Sequence, residues 1–177
     1  MRAAVRYGLA NSSRRTEIPV PADRVTVTRR IAAPAGKLFE IVSDPAGHVE
    51  IDGSGMLEAA PDAKRPTAVG DTFDMDMDRA PLGDIPNMGK YKVRNTVTRI
   101  VPDRLFEWAV GAVDQPPIGH VYGWQIEPVS DTESDVSNYC DWTNISEEMR
   151  SRREWPIVPV AMLEKSVANL EKLASAT

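Results

Sequence analysis

The sequence has few of the residues that build covalent cross-links and metal centres. Its 177 residues include one cysteine, Cys140, and two histidines, His48 and His120. A single cysteine cannot form an internal disulfide, which favours a reducing compartment, and we expect the protein to be cytoplasmic. So few thiols and imidazoles make a zinc site unfavourable, and the sequence has neither a Gly-rich phosphate loop nor a dinucleotide fingerprint. We therefore predict neither a metal nor a cofactor.

Long apolar runs and basic clusters are also missing. No stretch approaches the ~20 apolar residues that a membrane-spanning helix needs, so we predict no membrane span. The 21 Lys and Arg residues are outnumbered by 26 Asp and Glu residues, which gives a net charge of −5. Because proteins that bind a phosphate backbone normally present a basic face, this balance argues against a nucleic-acid partner.

The length fits a single domain, preceded by a segment of different character. Residues 1–22 carry four arginines but lack the apolar core of a signal peptide. We expect them to form a poorly ordered extension, and we place one ligand-binding domain at residues 23–177. The sequence leaves open whether the protein is a monomer or a dimer.

The apolar pattern of the domain predicts a strand, two short helices, six strands and a long C-terminal helix. The first strand covers residues 25–31, and the helices follow around residues 38–42 and 47–51. A further helix start is indicated at Ser146, and an apolar stripe begins at Val160 and includes Leu163 and Leu170. The six later strands are predicted at residues 56–60, 71–78, 90–101, 105–113, 120–129 and 135–144.

Alternation along these strands gives each one an apolar and a polar face, as in an antiparallel sheet with one side in water. The apolar rows contain tryptophan, tyrosine and methionine, which either fill an ordinary core or line an adaptable cavity. Two residues between the third and fourth later strands, Pro102 and Asp103, predict a turn that sets Val97 opposite Trp108 and Asn95 opposite Val110. Matching the apolar rows of the last hairpin sets Trp124 opposite Trp142, Ile126 opposite Cys140 and His120 opposite Ser146.

Several strings resemble the SRPBCC superfamily, which includes START lipid-transfer domains, birch-pollen-allergen-like proteins and the bacterial polyketide cyclase/dehydrase family. The resemblance covers about residues 24–175 and implies an α+β helix-grip fold. In that fold a curved seven-stranded antiparallel sheet surrounds a long C-terminal helix in the order β-α-α-β6-α, and an apolar ligand lies between them. The strings include Ala33-Pro34, Leu38-Phe39-Glu40-Ile41-Val42, Asp44-Pro45, Ile51-Asp52-Gly53-Ser54-Gly55, Gly70-Asp71-Thr72-Phe73, Asn95-Thr96-Val97, Phe106-Glu107-Trp108 and Cys140-Asp141-Trp142.

Residues with catalytic chemistry are sparse. His48 and Tyr122 are the catalytic candidates, since an acid–base enzyme needs such groups facing the cavity. A Cys140–His120 pair is disfavoured, because the predicted register separates the two residues by roughly 20 Å at ~3.3 Å per residue. Asp74, Asp76 and Asp78 mimic the start of an EF-hand loop, but the required later Gly and Glu are absent, so we predict a solvated strand face there.

Asn95 and Asn138 fall on otherwise apolar rows, where each either orients a ligand or bonds to backbone or water. The irregular segment 79–89 is predicted to be a lid.

We expect the protein to bind or carry a small hydrophobic ligand, such as a lipid or a polyketide-like molecule, without catalysis. The alternatives are a polyketide cyclase, aromatase or dehydratase, and a protein-interaction module using the outer face of the sheet or the N-terminal arm. The residues predicted to bind the ligand are Phe73, Met75, Met77, Tyr91, Val93, Asn95, Val97, Trp108, Val110, Tyr122, Trp124, Asn138, Trp142, Met162 and Leu163.

Overall fold

The computed structural model describes residues 23–61 and 64–176, so the predicted N-terminal extension lies outside the described residues. Seven strands form one antiparallel sheet in the order β1-β7-β6-β5-β4-β3-β2, followed by a long C-terminal helix, which confirms the predicted helix-grip fold. The strands are β1 (Arg24–Ile31), β2 (Leu57–Ala59), β3 (Thr72–Asp78), β4 (Lys90–Val101), β5 (Leu105–Ala112), β6 (Val121–Ser130) and β7 (Glu133–Asp141). The helices are α1 (Ala35–Val42), α2 (Pro45–Ile51), α3 (Glu147–Arg152) and α4 (Val160–Ala176).

Helices α2 and α3 each begin directly after a residue whose side chain caps the helix. The Asp44 side chain accepts a 3.0 Å hydrogen bond from the N–H of Ala46, and Pro45 fills the first turn, where a missing N–H costs little. Helix α2 therefore starts two residues before the predicted position. Ser146 accepts from the N–H of Met149 in the same way and starts α3, which confirms the helix start indicated there, although the predicted order of elements omitted this helix.

The hairpin of β4 and β5 has the predicted register beyond its turn, for a reason that the sequence did not reveal. Val101 pairs with Leu105, so the connecting loop is one residue longer than expected. A bulge between Val97 and Arg99 absorbs that extra residue, and Val97 still lies opposite Trp108.

The predicted register of the last hairpin is wrong by four residues. Trp124 pairs with Asn138 rather than Trp142, because Ser130 already pairs with Glu133 and leaves only a tight turn between them. The same shift pairs Ile126 with Val136 and Tyr122 with Cys140. It also moves His120 from the level of Ser146 to that of Trp142, so the distance argument against a Cys140–His120 pair does not hold.

Helix α4 covers one half of the inner face of the sheet. Its stripe of Leu163, Val167, Leu170 and Ala174 is buried, and the helix packs on β1, β7 and α2. Against it lies a core of buried apolar side chains, mostly aliphatic, from β1, α1, β6 and β7. A second group of buried apolar residues sits on β3, β4 and β5. The inner face between these two halves borders the cavity described below.

The loop after α2 is locked onto α4 by a close backbone approach. The N–H of Gly53 donates a 2.9 Å hydrogen bond to Ser166 Oγ, and a Cβ at Gly53 would collide with the carbonyl oxygen of Met162. Only glycine fits this contact without displacing the helix. No helix within residues 23–61 and 64–176 has the length and apolar character needed to cross a membrane.

Candidate functional site

A cavity of about 380 Å³ lies between the inner face of the sheet and helix α4. Its walls come from β3 to β7, the end of α2 and its following loop, the segment 79–89, and residues 153–158. Most of the residues predicted to bind a ligand line this cavity. They are Met75, Met77, Tyr91, Val93, Asn95, Trp108, Val110, Tyr122, Trp124, Asn138 and Leu163.

The remaining predicted residues belong to the surrounding packing. Phe73 and Val97 are buried beside Phe106, in the core on β3 to β5. Trp142 is buried with Cys140 and stacks on Trp155 at a ring distance of 6.3 Å. Met162 lies on α4 outside the cavity lining, where its carbonyl oxygen accepts a hydrogen bond from Ser166.

Other lining residues were not predicted, although alternation could have identified some of them. Arg79 continues the inner row of Met75 and Met77, and His120 precedes Tyr122 on the same face of β6. The lining residues contributed by loops, among them Ile118 and Val158, carry no periodic signal.

His48 is a buried, neutral imidazole in an aromatic cluster. Its Nε2 lies 2.7 Å from the carbonyl oxygen of Val42, so this nitrogen must carry the proton and donate. The ring centroid lies 4.6 Å from that of Trp108 and within 6 Å of those of Phe73 and Phe106. Burial lowers the pKa of His48 to about 4, so the ring is uncharged near neutral pH.

Tyr122 lines the cavity as a protonated phenol. Burial is the main cause that raises the pKa of Tyr122 well above its usual value, and the Cys140 thiol adds to this effect. Burial also raises the pKa of Cys140 to about 12, so the thiolate that a nucleophile requires is not formed near neutral pH.

Three buried polar atoms of lining residues have no hydrogen-bond partner among the described residues. They are Oδ1 of Asn95, Oδ1 of Asn138 and Nδ1 of His120. All three residues are at most 6% exposed. Because an unpaired buried polar group costs about 1–3 kcal/mol, these atoms are sites at which a bound molecule gains hydrogen bonds.

The segment 79–89 forms one side of the mouth. Ile85 and Met88 line the cavity and are still 39% and 38% exposed. Arg79 holds the segment in place, since Nε and Nη2 donate hydrogen bonds of 2.9 and 2.6 Å to the carboxylate of Asp84. A role as a lid remains a prediction.

Asp52 also lines the cavity, and its carboxylate is used locally. Oδ1 accepts from the N–H and the hydroxyl of Ser54, and Oδ2 accepts from the N–H of Leu57. These bonds shape the loop after α2 rather than present a free carboxylate to the cavity.

The outer face of the sheet carries cross-strand ion pairs. Asp74 accepts two hydrogen bonds from Arg94, and Asp76 lies 2.7 Å from the ammonium group of Lys92. Within the described parts of the chain, no three His, Cys, Asp or Glu side chains come together in a way that could hold a metal ion.

Comparisons with known proteins agree with this architecture. Residues 22–176 match the family model described as polyketide cyclase / dehydrase and lipid transport. An uncharacterised protein of Mycobacterium tuberculosis strain H37Rv is 34% identical over 119 residues, which are 67% of this chain and 47% of that protein. A second, from strain CDC 1551, is 33% identical over the same lengths. The chain thus spans about half the length of the curated relatives it matches.

Solved structures share the fold at low sequence identity. Protein CV1439 of Chromobacterium violaceum has a TM-score of 0.62 at 15% identity, covering 86% of this chain and 96% of that one. A point mutant of norcoclaurine synthase from Thalictrum flavum, solved with a transition-state analogue, has a TM-score of 0.58 at 14% identity, covering 86% and 94%.

Proposed function

Because the chain belongs to the polyketide cyclase / dehydrase and lipid transport family, within the SRPBCC superfamily, we propose that it binds and carries a small hydrophobic molecule. The observation that carries this proposal is the cavity of about 380 Å³ between the sheet and α4. Sites for small molecules typically have volumes of about 300–1,000 Å³, apolar walls and a few polar groups that fix orientation. A lipid or a polyketide-like aromatic molecule meets that description.

The lining side chains favour an apolar ligand of irregular shape. Trp108 and Tyr122 offer broad ring faces, and their centroids lie 6.3 Å apart in a stacked arrangement. Met75 and Met77 add flexible thioethers on the neighbouring wall. Such a surface adapts to a ligand more readily than a wall of branched aliphatic side chains.

The titratable groups of the cavity support binding better than acid–base catalysis. His48 is neutral and its Nε2–H is bonded to a backbone carbonyl. Tyr122 is a phenol whose pKa is raised. A group that transfers protons efficiently has a pKa near the working pH. The pKa of His48 lies well below neutral pH, and that of Tyr122 lies well above it.

Native mass spectrometry of gently purified protein, with and without solvent extraction, tests the proposal. We expect a co-purified apolar molecule, or saturable uptake of N-phenyl-1-naphthylamine, a neutral probe that fluoresces in apolar surroundings. Val110→Trp places a bulky ring in the cavity and should strongly reduce uptake. Val101→Trp makes the same change at a 47% exposed position and should not. Uptake that is absent, or equal in both variants, would contradict the proposal.

A second candidate, a cyclase, aromatase or dehydratase, is supported by the tautomer of His48. Since Nε2 carries the proton, Nδ1 holds the lone pair of a ring that lines the cavity. If this nitrogen acts as a base, His48→Gln and Tyr122→Phe must reduce turnover of a polyketide substrate without abolishing uptake of the apolar probe. Unchanged turnover in both variants would remove these two residues as catalytic groups.

A further inference from the structure

Cationic side chains outnumber anionic ones in the lining of the cavity, although the whole protein carries a net charge of −5. The cations are Arg79, Lys92 and Arg153, and the anion is Asp52. Lys92 is paired with Asp76 on the outer face. Arg79 and Arg153 are the two remaining cations of the lining, and Arg79 is itself paired with Asp84.

Arg79 is an unusually buried cation for an apolar wall. Its side chain is 6% exposed, whereas that of its partner Asp84 is 44% exposed. Two of its five N–H groups donate to Asp84, and Asp84, with a smaller contribution from Tyr91, raises the pKa of the guanidinium. A buried guanidinium needs an anionic partner, and here the partner sits at the solvent-facing rim, from which it can be displaced.

Arg153 and His120 both line the cavity, and the ring of His120 lies 5.2 Å from that of Trp155, two residues after Arg153. Arg153 is exposed, lines the cavity, and acts electrostatically on both Asp84 and His120. His120 is 3% exposed, and its Nδ1 has no hydrogen-bond partner among the described residues. The ring of His120 lies 5.6 Å from that of Tyr122, which is itself within electrostatic reach of Arg79. We call the two lining arginines, Arg79 and Arg153, together with the uncharged ring of His120, the cationic mouth.

We propose that the ligand is an amphipathic carboxylic acid, with its apolar body among the inner rows and its carboxylate at the cationic mouth. This inference rests on the proposed function and specifies the chemistry of the ligand. Guanidinium groups bind carboxylates through parallel charge-assisted hydrogen bonds. The neutral imidazole of His120, with its proton on Nδ1, adds a third donor. A hydrogen bond from Nδ1 to the ligand removes the cost of leaving this atom without a partner.

In this arrangement Asp84 competes with the ligand for the donors of Arg79. The carboxylate of Asp84 accepts the two hydrogen bonds from Arg79 that a ligand carboxylate would otherwise accept. Asp84 itself is partly exposed. Removing its charge should therefore strengthen the binding of an acid and leave the binding of a neutral molecule unchanged.

The proposal is tested on the full chain by measuring how well decanoic acid or 1-decanol displaces bound N-phenyl-1-naphthylamine at pH 7. The two compounds share an apolar chain and differ in the head group. In Arg153→Gln, we expect affinity for decanoate to fall about threefold and affinity for decanol to stay constant, as expected for the loss of a partly screened charge pair. Arg152→Gln is the matched control, because the neighbouring Arg152 pairs with Glu148 on α3 and does not line the cavity. Asp84→Asn should raise the affinity for decanoate alone.

The outcomes separate the two proposals. Uptake of the neutral probe, with decanoate and decanol equally effective and Arg153→Gln indistinguishable from Arg152→Gln, overturns the carboxylate inference and leaves the proposed function standing. No uptake of the probe, the acid or the alcohol overturns both. Because Arg153 and Arg152 are exposed, neither variant depends on the survival of a buried ion pair.

Discussion

The ring of Tyr139 on β7 crosses over Gly123 on β6, and its hydroxyl donates a 2.6 Å hydrogen bond to the carboxylate of Glu107 on β5. Both side chains are buried, on the face of the sheet opposite the cavity. The guanidinium of Arg24 lies 3.8 Å above the ring of Tyr139. A Cβ on residue 123 would collide with the ring. Glycine at this position of β6 therefore allows a hydrogen bond between side chains of its two neighbouring strands, β5 and β7.

Tyr139→Phe should lower the free energy of unfolding by about 1–2 kcal/mol, because a buried carboxylate loses a hydrogen bond while its bond from Thr98 remains. Urea denaturation measures the change. Ser137→Ala, on the same strand as Tyr139, removes the hydroxyl partner of Thr28 on β1. Ser137 is half-buried but this hydrogen bond is exposed, so stability should change by less than about 0.5 kcal/mol. Equal effects of the two variants would show that the buried bond contributes nothing beyond an exposed one.

Two buried histidines predict a loss of stability on mild acidification. The pKa of His48 is lowered to about 4 by burial, and that of His120 to about 4 by burial and by Arg153. The unfolded chain, with histidine pKa values near 6.5, binds more protons than the folded one between these limits. The stabilisation is therefore complete above about pH 6.5 and is lost as the pH falls toward 4, by on the order of 3 kcal/mol for each histidine at most.

Denaturant unfolding at steps between pH 7.5 and pH 4.5 measures this slope. His48→Gln and His120→Gln should each flatten it. Carboxylates with lowered pKa values act in a different window, below about pH 4, and so do not obscure the result. They include Asp71, Asp74, Asp84 and Asp135. A stability that is constant from pH 7 to pH 5 would contradict the buried, neutral state of both rings.

Gly53→Ala should be destabilising by about 1–3 kcal/mol, because its methyl group would strike the backbone of α4 at Met162. The matched control is Gly36→Ala on α1, where the nearest atom to a new Cβ is 3.5 Å away. There alanine should stabilise the helix by up to about 1 kcal/mol. Thermal unfolding of the two variants checks the difference in sign; destabilisation by both would show that the contact with α4 is not the cause.

Asn95→Leu should leave the ligand-free protein unchanged or more stable, because Oδ1 of Asn95 is buried without a partner. The same substitution at Asn169 should cost about 1–2 kcal/mol, since Nδ2 of Asn169 donates to the carbonyl oxygens of Ile51 and Asp52. Chemical denaturation of the two variants provides the comparison. A large loss at Asn95 would mean that its amide is already satisfied in the protein.

Sequence alone predicted the strands well because their signal is local. Alternation identified the inner row of β3 at Met75 and Met77, and those side chains do line the cavity. The same alternation also points to Arg79, but a charged residue beside two prolines and two glycines was assigned to a loop. Its inward direction follows from the strand before it, whereas its burial depends on Asp84.

The register of β6 and β7 could not be obtained in this way. A shift of four residues keeps every side chain on its own face, so apolar rows match equally well in both registers. Tyr122 paired with Cys140 and Trp124 paired with Trp142 are equivalent by this criterion. The length of the turn determines which of the two registers forms. That length depends on the few polar residues between Ser130 and Glu133, which carry no apolar pattern.

The cavity lay beyond sequence reasoning for a further reason. Its volume depends on where α4 rests, and that position is set by long-range contacts such as Gly53 with Ser166. Periodicity describes which side of a helix is buried, but not how far along a sheet the helix lies.

The pairing of β1 with β7 joins the beginning of the domain to residues more than a hundred positions later, with Arg24 opposite Asp141 and Ile31 opposite Ser134. During synthesis β1 leaves the ribosome long before its partner exists. Strand β1 therefore stays without its partner, with an unpaired edge, until β7 has been synthesised. Closing so large a loop makes folding slow compared with that of helical proteins of similar size, and a nascent chain halted before residue 133 exposes that edge to other chains.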